Sequence, residues 1–506
     1  MKILYYNWVD YLDDERRGGG VSVYQYNLMH AWDQDPEIHE AFLSAGISYD
    51  LLRRAPRWEQ MRHGPAEDRR RRFEIVNSGV LAPAHFSFGD PAQLCHPATT
   101  AAFMEFVDRT GPYDVIHFNN LEGLPVEVLG LKDLWRRTRL VVTLHNYYPF
   151  CPQVNLWQHE RAHCDDFRGG QACDSCLVHP MPAPRLLRTA NAIAYHLKCL
   201  GLRPGSKAFD LSFRQIMRAG RLTLRGLGAM RGLMRRPAEA GQPLDRARND
   251  QQRAGAFAAR RQTMVEALNA HADLILCVSD RVRQIAEGHG IRPDLLQTSY
   301  IGSAHARRFA ETHPPDSLLN ADGTLSLAYL GYMRRDKGFF FLLDALEALP
   351  AQMAKRLHLL VAARSGPAEA LARLEALRPR LASLTHVDGY RQNELDTLLH
   401  EVRLGLVPVL WEDNLPQVAI EMHARHIALL TADRGGAQEL GRYPDLVHGA
   451  GSVPEFHRCL GRVLEGAVDL GAYWAGAMAP LSMHEHLMEL ETAYHTAPSN
   501  RAPILF

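Results

Sequence analysis

Long apolar runs are missing from this chain. No stretch of its 506 residues approaches the roughly 20 consecutive apolar side chains that cross a bilayer, so no transmembrane helix is expected. The opening MKILYYNWVDYLDDERR turns acidic too early for a secretory leader. No charge sign dominates: Lys plus Arg and Asp plus Glu both total 57, so net charge excludes no class of partner. There is no internal repeat. There is also no dinucleotide fingerprint, which disfavours a nicotinamide cofactor, and no known nucleic-acid module, so nucleic acid is not an expected partner. Cysteine is sparse, with eight residues in the chain. Without a secretion signal these suggest reduced thiols or metal ligands rather than a disulfide framework. The expected compartment is the cytoplasm.

What the chain does have is alternation. A length of 506 residues is more than one hydrophobic core usually serves, so two domains are expected. Short apolar runs alternate with helical patterns, the mark of parallel α/β units. Strands are expected at 2–7, 114–119, 140–145 and 272–279, then at 325–331, 357–362, 404–409 and 427–431. Helices are expected at 21–32, 338–349, 368–381, 394–402 and 483–494. The polar, turn-rich stretch 303–322 marks a boundary. This gives a first domain over 1–305, a second over 306–482 and a terminal helical segment over 483–506.

Two stretches break the pattern. Residues 50–75 are rich in Arg and Glu and suggest surface loops or a helix. Residues 181–260 suggest a helical insertion into the first domain. Between Arg185 and Arg236 there are twelve Lys or Arg and one acid, Asp210, with apolar residues interleaved. Such a helix can lie on an anionic membrane, or pack its apolar side on the body as a solvated arm. Gly220, Gly226, Gly228 and Gly232 weaken it as a helix. The membrane reading is preferred because the positive charges need a counter-charge; RNA is a weaker alternative.

Four motifs carry chemistry. In WEDNLPQVAIEMHARHIALLTADRGG, residues 411–436, Asp413 and Asn414 are good N-cap residues and Pro416 suits a first helical turn. A helix starting at a strand's carboxyl end is where an open α/β sheet holds a diphosphate, and Glu421 on that helix can accept bonds from ribose hydroxyls. An ordinary capped helix would show the same residues. The Gly18-Gly19-Gly20 turn lets backbone N–H groups approach a phosphate, or is a flexible loop. Lys337, in the strand-end loop 331–338, can reach a diphosphate as a point charge, and Arg334 or Arg335 can bind one in a fork. His145 closes a strand in VVTLHNYYPF. Just after it, Cys151, Cys164, Cys173 and Cys176 suit tetrahedral zinc, with a labile disulfide or plain reduced thiols as alternatives and His163 as a substitute ligand.

Segment 411–436 resembles the donor-site signature of the family-four retaining glycosyltransferases of GT-B fold. That signature is two acids separated by seven residues, a proline between them, then a strand and a Gly-Gly turn. Here it reads Asp413, NLPQVAI, Glu421, and later Gly435-Gly436. The resemblance extends to Gly18–Gly20, to Lys337-Gly338 and to His145, with His117 matching a second, structural histidine. The departures are Asp413 for the usual Glu, with Glu412 adjacent; Tyr332 at the usual Arg; His426 at the helix-ending Gly; and Ala428 at a proline.

The resemblance implies two Rossmann-like domains facing across a cleft, with the terminal helix crossing back onto the first. It implies transfer of a sugar from a nucleotide-diphosphate sugar, UDP- or GDP-linked, to a hydroxyl acceptor with retention. The acceptor expected is a glycan or lipid-linked glycan of surface polysaccharide synthesis, on the inner face of the cell membrane. Gly18, Gly19, Gly20, Lys337, Arg334 or Arg335, and the loop Asn414-Leu415-Pro416 would hold the diphosphate, and Glu421 the ribose. Asp413 would hold sugar hydroxyls and His145 would line the sugar's far side. A donor phosphate oxygen would take the acceptor proton, so no protein base and no metal cofactor is demanded. A nucleotide-sugar epimerase on the same scaffold and a non-catalytic nucleotide- or glycan-binding relative remain alternatives.

Overall fold

The computed structural model describes residues 1–15, 17–66, 68–179, 181–232 and 243–496, and side chains outside 220–250. The first half carries β1 (Lys2–Tyr6), β2 (His39–Ala45), β3 (Arg57–Gln60), β4 (Arg72–Val76), β5 (Val115–Phe118) and β6 (Arg139–Leu144), then a two-residue hairpin of β7 (Trp157–Gln158) and β8 (Ala162–His163), then β9 (Leu274–Cys277) and β10 (Leu296–Thr298). All but the hairpin join one sheet in the order β10-β9-β6-β5-β1-β2-β4-β3, parallel except where β3 runs antiparallel to β4. The second half carries β11 (Leu325–Tyr332), β12 (Leu357–Arg364), β13 (Ser383–Val387), β14 (Leu404–Val407), β15 (Ala428–Ala432) and β16 (Val447–His448). These form a parallel sheet in the order β13-β12-β11-β14-β15-β16.

Burial explains the strands. RLVVTL of β6, LILC of β9 and ALLTA of β15 are buried at every position, as expected of central parallel strands covered on both faces. One apolar cluster spans both halves, joining Ile116 and Leu276 to Leu330, Val407 and Leu415. That cluster bridges the two halves, beside a separate cluster around Leu327, Phe339 and Leu430 in the second.

The terminal helix Met483–His495 opens with a reciprocal Ser482–Glu485 capping box and packs on the first sheet's elements. Tyr494 Oη lies 3.1 Å from Tyr5 Oη and 2.7 Å from His117 Nδ1, and His486 Nε2 lies 2.8 Å from Tyr24 Oη. His117, fully buried, also bonds Thr143 Oγ1 at 2.6 Å. It is a joint between strands and helix.

The stretch 50–75 is neither plain loop nor helix. It holds β3 and the start of β4, an edge pair stabilised on one side by Trp58 packing against Phe73 and Phe106. Its Arg and Glu residues occupy the other positions, which hides the alternation in the sequence. In the insertion, the helices Pro184–Cys199 and Lys207–Gly232 put Ile193 and Leu197 against Phe209, Phe213 and Met217. Leu211 and Ile216 of the second helix stay exposed. The helix Pro243–His271 enters the first domain through Arg260, Met264 and Leu268, all buried. Arg260 donates to the Tyr148 carbonyl at 2.9 Å.

Candidate active site between the two sheets

The carboxyl ends of the two sheets enclose a cavity of about 310 Å³, within the usual range for small-molecule sites. Gly20, Val21, Tyr24, His145, Val278 and Ile301 line it from the first domain. Tyr332, Lys337, Trp411, Asp413, Leu415 and Gln417 line it from the second.

Lys337 is placed by its neighbour. Gly338 has φ +75° and a Cβ there would sit 1.7 Å from the Pro408 carbonyl oxygen, so only glycine lets the 331–338 loop lie against the end of β14. The ammonium then reaches Asp413, donating to Oδ2 at 2.6 Å, and sits 4.8 Å from the Trp411 ring centre. Asp413 is fixed from behind by Gly435, whose φ is +72° and whose Cβ would fall 2.0 Å from the Asp413 carbonyl oxygen. The Gly436 N–H donates to that same oxygen at 2.9 Å. The Gly-Gly turn thus cradles the acidic loop.

Glu412 goes elsewhere. It is fully buried and accepts from Arg281 Nε at 2.8 Å, Arg281 Nη2 at 2.5 Å, Arg434 Nη1 at 3.0 Å and the Gly435 N–H at 2.9 Å. Burial opposes its charge, but the bonds from Arg281, Arg434 and Gly435 prevail and hold the carboxyl at about 2. Arg281 belongs to the first-domain helix Asp280–Gly288, so this pair ties the domains together. Glu439 adds to it by accepting the N–H groups of Asp280 and Arg281 at 2.9 and 2.8 Å.

Other expected site residues are dispersed. Arg334 is exposed and pairs with Asp336 at 3.0 and 2.8 Å, and Arg335 lies over the Phe340 ring at 4.5 Å. Neither lines the cavity, whereas Tyr332, at the usual Arg position, does. Glu421 is buried behind the wall, accepting from Tyr390 Oη at 2.8 Å and Gln392 Nε2 at 2.7 Å. Its helix runs over Gln417–His423, ending short of the His426 that stands at the usual helix-ending glycine, and is entered at Pro416 with no side-chain cap. The caps expected of Asp413 and Asn414 do not form, because Asp413 turns to Lys337 and Asn414 Nδ2 to the Leu144 carbonyl at 3.4 Å.

His426, at the usual glycine, adopts φ +53°. The left-handed turn survives without glycine because the ring stacks on Phe309 at 4.2 Å and Nδ1 bonds Thr312 Oγ1 at 2.8 Å. From the first domain, Gly20 approaches so closely that a Cβ would meet the Gln417 Cγ at 3.3 Å. His145 lies with its ring centre 5.0 Å from that of Tyr24 and its Nε2 3.3 Å from Asn119 Oδ1. Burial, reinforced by His486, lowers its pKa to about 3, so the ring is neutral at pH 7. Tyr24, Trp411, Arg281 and Arg434 were not legible as site residues. Tyr24 had a signal in lying one turn beyond the glycine loop, and Trp411 and Arg434 in lying within the segment 411–436, whereas Arg281 had none.

Two Rossmann-like sheets facing across one cleft, with the terminal helix returning to the first, are the GT-B fold. No protein-family model matches the chain, and no curated protein matches its sequence. Solved structures do match in shape. HepE from Anabaena, in complex with UDP, is 12% identical over 97% of this chain and 99% of its own, with a TM-score of 0.53. Sucrose-phosphate synthase from Thermosynechococcus elongatus is 15% identical over 97% and 98%, with a TM-score of 0.50. The N-terminal domain of trehalose-6-phosphate phosphatase from Candida albicans is 9% identical over 97% and 96%, with a TM-score of 0.54. At such identities the likeness defines the fold.

Proposed function

We propose that this protein is a retaining glycosyltransferase that moves a sugar, a hexose by the family resemblance, from a nucleoside-diphosphate sugar to a hydroxyl acceptor. The observation that carries the reading is the Lys337–Asp413 pair, 2.6 Å apart on the wall of the interdomain cavity. A cation and a carboxylate side by side suit a donor whose diphosphate needs the first and whose sugar hydroxyls need the second. The solved complexes of HepE with UDP and with UDP-glucose support a nucleotide-sugar donor.

The chemistry is leaving-group stabilisation. Negative charge grows on the diphosphate as the sugar becomes oxocarbenium-like, and preorganised cations and N–H dipoles lower that barrier most. In this reading Lys337 leaves Asp413 for the diphosphate, helped by the N–H groups at Gly19-Gly20 and around Gln417. Asp413 then holds sugar hydroxyls. Neutral His145 bonds a sugar hydroxyl without adding charge, and a donor phosphate oxygen takes the acceptor's proton. Lys337 and the main chain carry the leaving charge, so the reading routes no step through a metal ion. The ribose goes to Glu421, with Gln392 swinging aside. The closed cleft, latched by Arg281 and Glu412, limits hydrolysis by excluding water.

The acceptor in this reading is a glycan or lipid-linked glycan in surface polysaccharide synthesis. The exposed Lys207, Arg214 and Arg218 of the insertion, beside the exposed Leu211 and Ile216, would meet an anionic membrane. No helix among the described residues is long and apolar enough to cross a membrane. If a variant lacking 185–236 binds anionic vesicles as the full chain does, the segment has no membrane role.

Calorimetric titration with UDP, GDP and ADP tests the donor site. Binding of one nucleotide that is lost in Lys337→Ala and in Glu421→Ala supports the reading and identifies the base. No binding of any of the three overturns it. Nucleotide binding without nucleoside diphosphate release in the presence of acceptor membranes would favour a non-catalytic binding protein.

A further inference from the structure

The segment 151–176 is folded with almost no regular structure of its own. It holds the two-residue hairpin β7–β8, a 3-10 turn at Arg168–Gly170 and the short helix Gln171–Asp174. Val154, Leu156, His159, Glu160 and Arg168 all adopt positive φ, each at a cost of order 1 kcal/mol. So much unfavourable backbone in so little chain needs something that holds it.

The backbone gathers four cysteines. The turn at Cys151 closes with the Val154 N–H donating to the Cys151 carbonyl at 2.9 Å. The next residues reach two other cysteines: the Cys164 N–H donates to the Leu156 carbonyl at 2.7 Å, and the His159 N–H to the Cys176 carbonyl at 3.2 Å. Cys173 and Cys176 share one turn, with the Cys176 N–H donating to the Cys173 carbonyl at 3.1 Å, so the C-x-x-C spacing sends both sulfurs to one side. Cys151, Cys173 and Cys176 are buried and Cys164 is half-buried.

One donor and one positive charge stand near the sulfurs. Gln153 Nε2 donates to the Cys176 sulfur at 3.0 Å. The Arg261 guanidinium, 3.5 Å from the Phe167 ring centre, lies in the field of Cys151, Cys173 and Cys164. One guanidinium cannot neutralise several buried thiolates. A dication bound by four thiolates leaves a net charge of minus two, which Arg261 and the N–H···S donor then partly offset.

From this we propose that Cys151, Cys164, Cys173 and Cys176 ligate one structural zinc ion, with four protons released to solvent as four Zn–S bonds form. The zinc is separate from sugar transfer. No three His, Cys, Asp or Glu side chains among the described residues are set to hold a metal, so ligation requires the four sulfurs to draw in, each to about 2.3 Å from the ion. His163 faces away from this role, its Nε2 lying 3.5 Å from Asp165, which in turn lies 3.8 Å from Arg434 of the second domain. The zinc would thus stiffen a loop that rests on the interdomain latch.

The test uses the full chain purified under reducing conditions, with native mass spectrometry and elemental analysis. The expected result is one zinc per chain, released as a mercurial titrates four thiols. Cobalt exchanged into the wild-type protein should give thiolate-to-cobalt charge-transfer bands of a tetrahedral site. Cys173→Ser/Cys176→Ser should lose the metal and become cleavable by protease within 154–170, while Cys95→Ser keeps it. A metal-free chain whose four thiols all react freely, or a mass lower by two hydrogens from a disulfide, overturns the proposal. Because the cobalt spectrum reads the wild-type protein, a misfolded variant does not blur the answer. None of these readouts depends on nucleotide binding, so the donor-site reading can fail or stand independently.

Discussion

Arg281 of the first domain holds Glu412 of the second through two hydrogen bonds, at 2.8 and 2.5 Å, and so withdraws from the cleft the acid that stands beside Asp413. Two adjacent carboxylates thereby have separate tasks. Glu412 fastens the domains and Asp413 faces the cavity.

Removing Arg281 should loosen the closed form. Glu412 is fully buried, and Arg281→Ala leaves it with Arg434 and the Gly435 N–H only. A loss of about 2 kcal/mol is expected, below the value for a wholly buried pair because the arginine is partly exposed. Denaturant unfolding measures this. Arg281→Ala/Glu412→Gln should recover part of the loss; an unchanged midpoint in Arg281→Ala would show that the latch contributes nothing.

Lys337→Ala and Asp413→Asn should act in opposite directions on free nucleotide. The first removes a charge-assisted contact and should weaken nucleoside diphosphate binding by about 10–100-fold. The second frees Lys337 from its 2.6 Å partner and should strengthen that binding while abolishing sugar transfer. Calorimetry and a transfer assay separate the two. Weaker nucleotide binding in Asp413→Asn would contradict the assignment of that carboxylate to the sugar.

His426 offers a test of backbone economy. At φ +53° alanine keeps the left-handed cost and loses the Phe309 stack, whereas glycine loses the stack and removes the cost. His426→Ala should therefore be less stable than His426→Gly by about 1 kcal/mol, read from thermal unfolding.

Acid should destabilise the fold in two stages. Burial lowers the pKa of His145 to about 3 and those of His289, His423 and His486 to about 4. Between pH 6.5 and about 4 the unfolded chain binds more protons at these rings, so stability is full above 6.5 and falls as pH drops, by roughly 1.4 kcal/mol per pH unit per ring at most. Glu74 and Glu412, held at about 2, lose their contribution only between about pH 4.5 and 2. Urea midpoints across pH should show the histidine stage first. A flat profile from pH 7 to 4.5 would mean that these rings are not buried neutral.

Much of the fold was legible because central parallel strands are continuous apolar runs. KILYY, RLVVTL, LILC and ALLTA announce themselves. β2, HEAFLSA, and β13, SLTHV, were not expected, since polar residues at their ends or solvent face break the run. In the site, the spacing of Asp413 and Glu421 was readable, and the structure brings Lys337, 76 positions earlier, to Asp413. The Arg281–Glu412 pair was not readable. Its members are 131 positions apart, and no local pattern distinguishes either from a surface charge. The position of Glu421 behind the wall was equally hidden, because it depends on Tyr390 and Gln392 in a separate loop.

The return of the helix Met483–His495 means that the chain joins its halves twice, once between β10 and β11 and again on the way to that helix. The cleft is thus spanned by a double strap. His117, Tyr5 and Tyr24 hold the far end of the second crossing on the first domain, so separating the halves would require breaking these buried contacts as well as the Arg281–Glu412 pair.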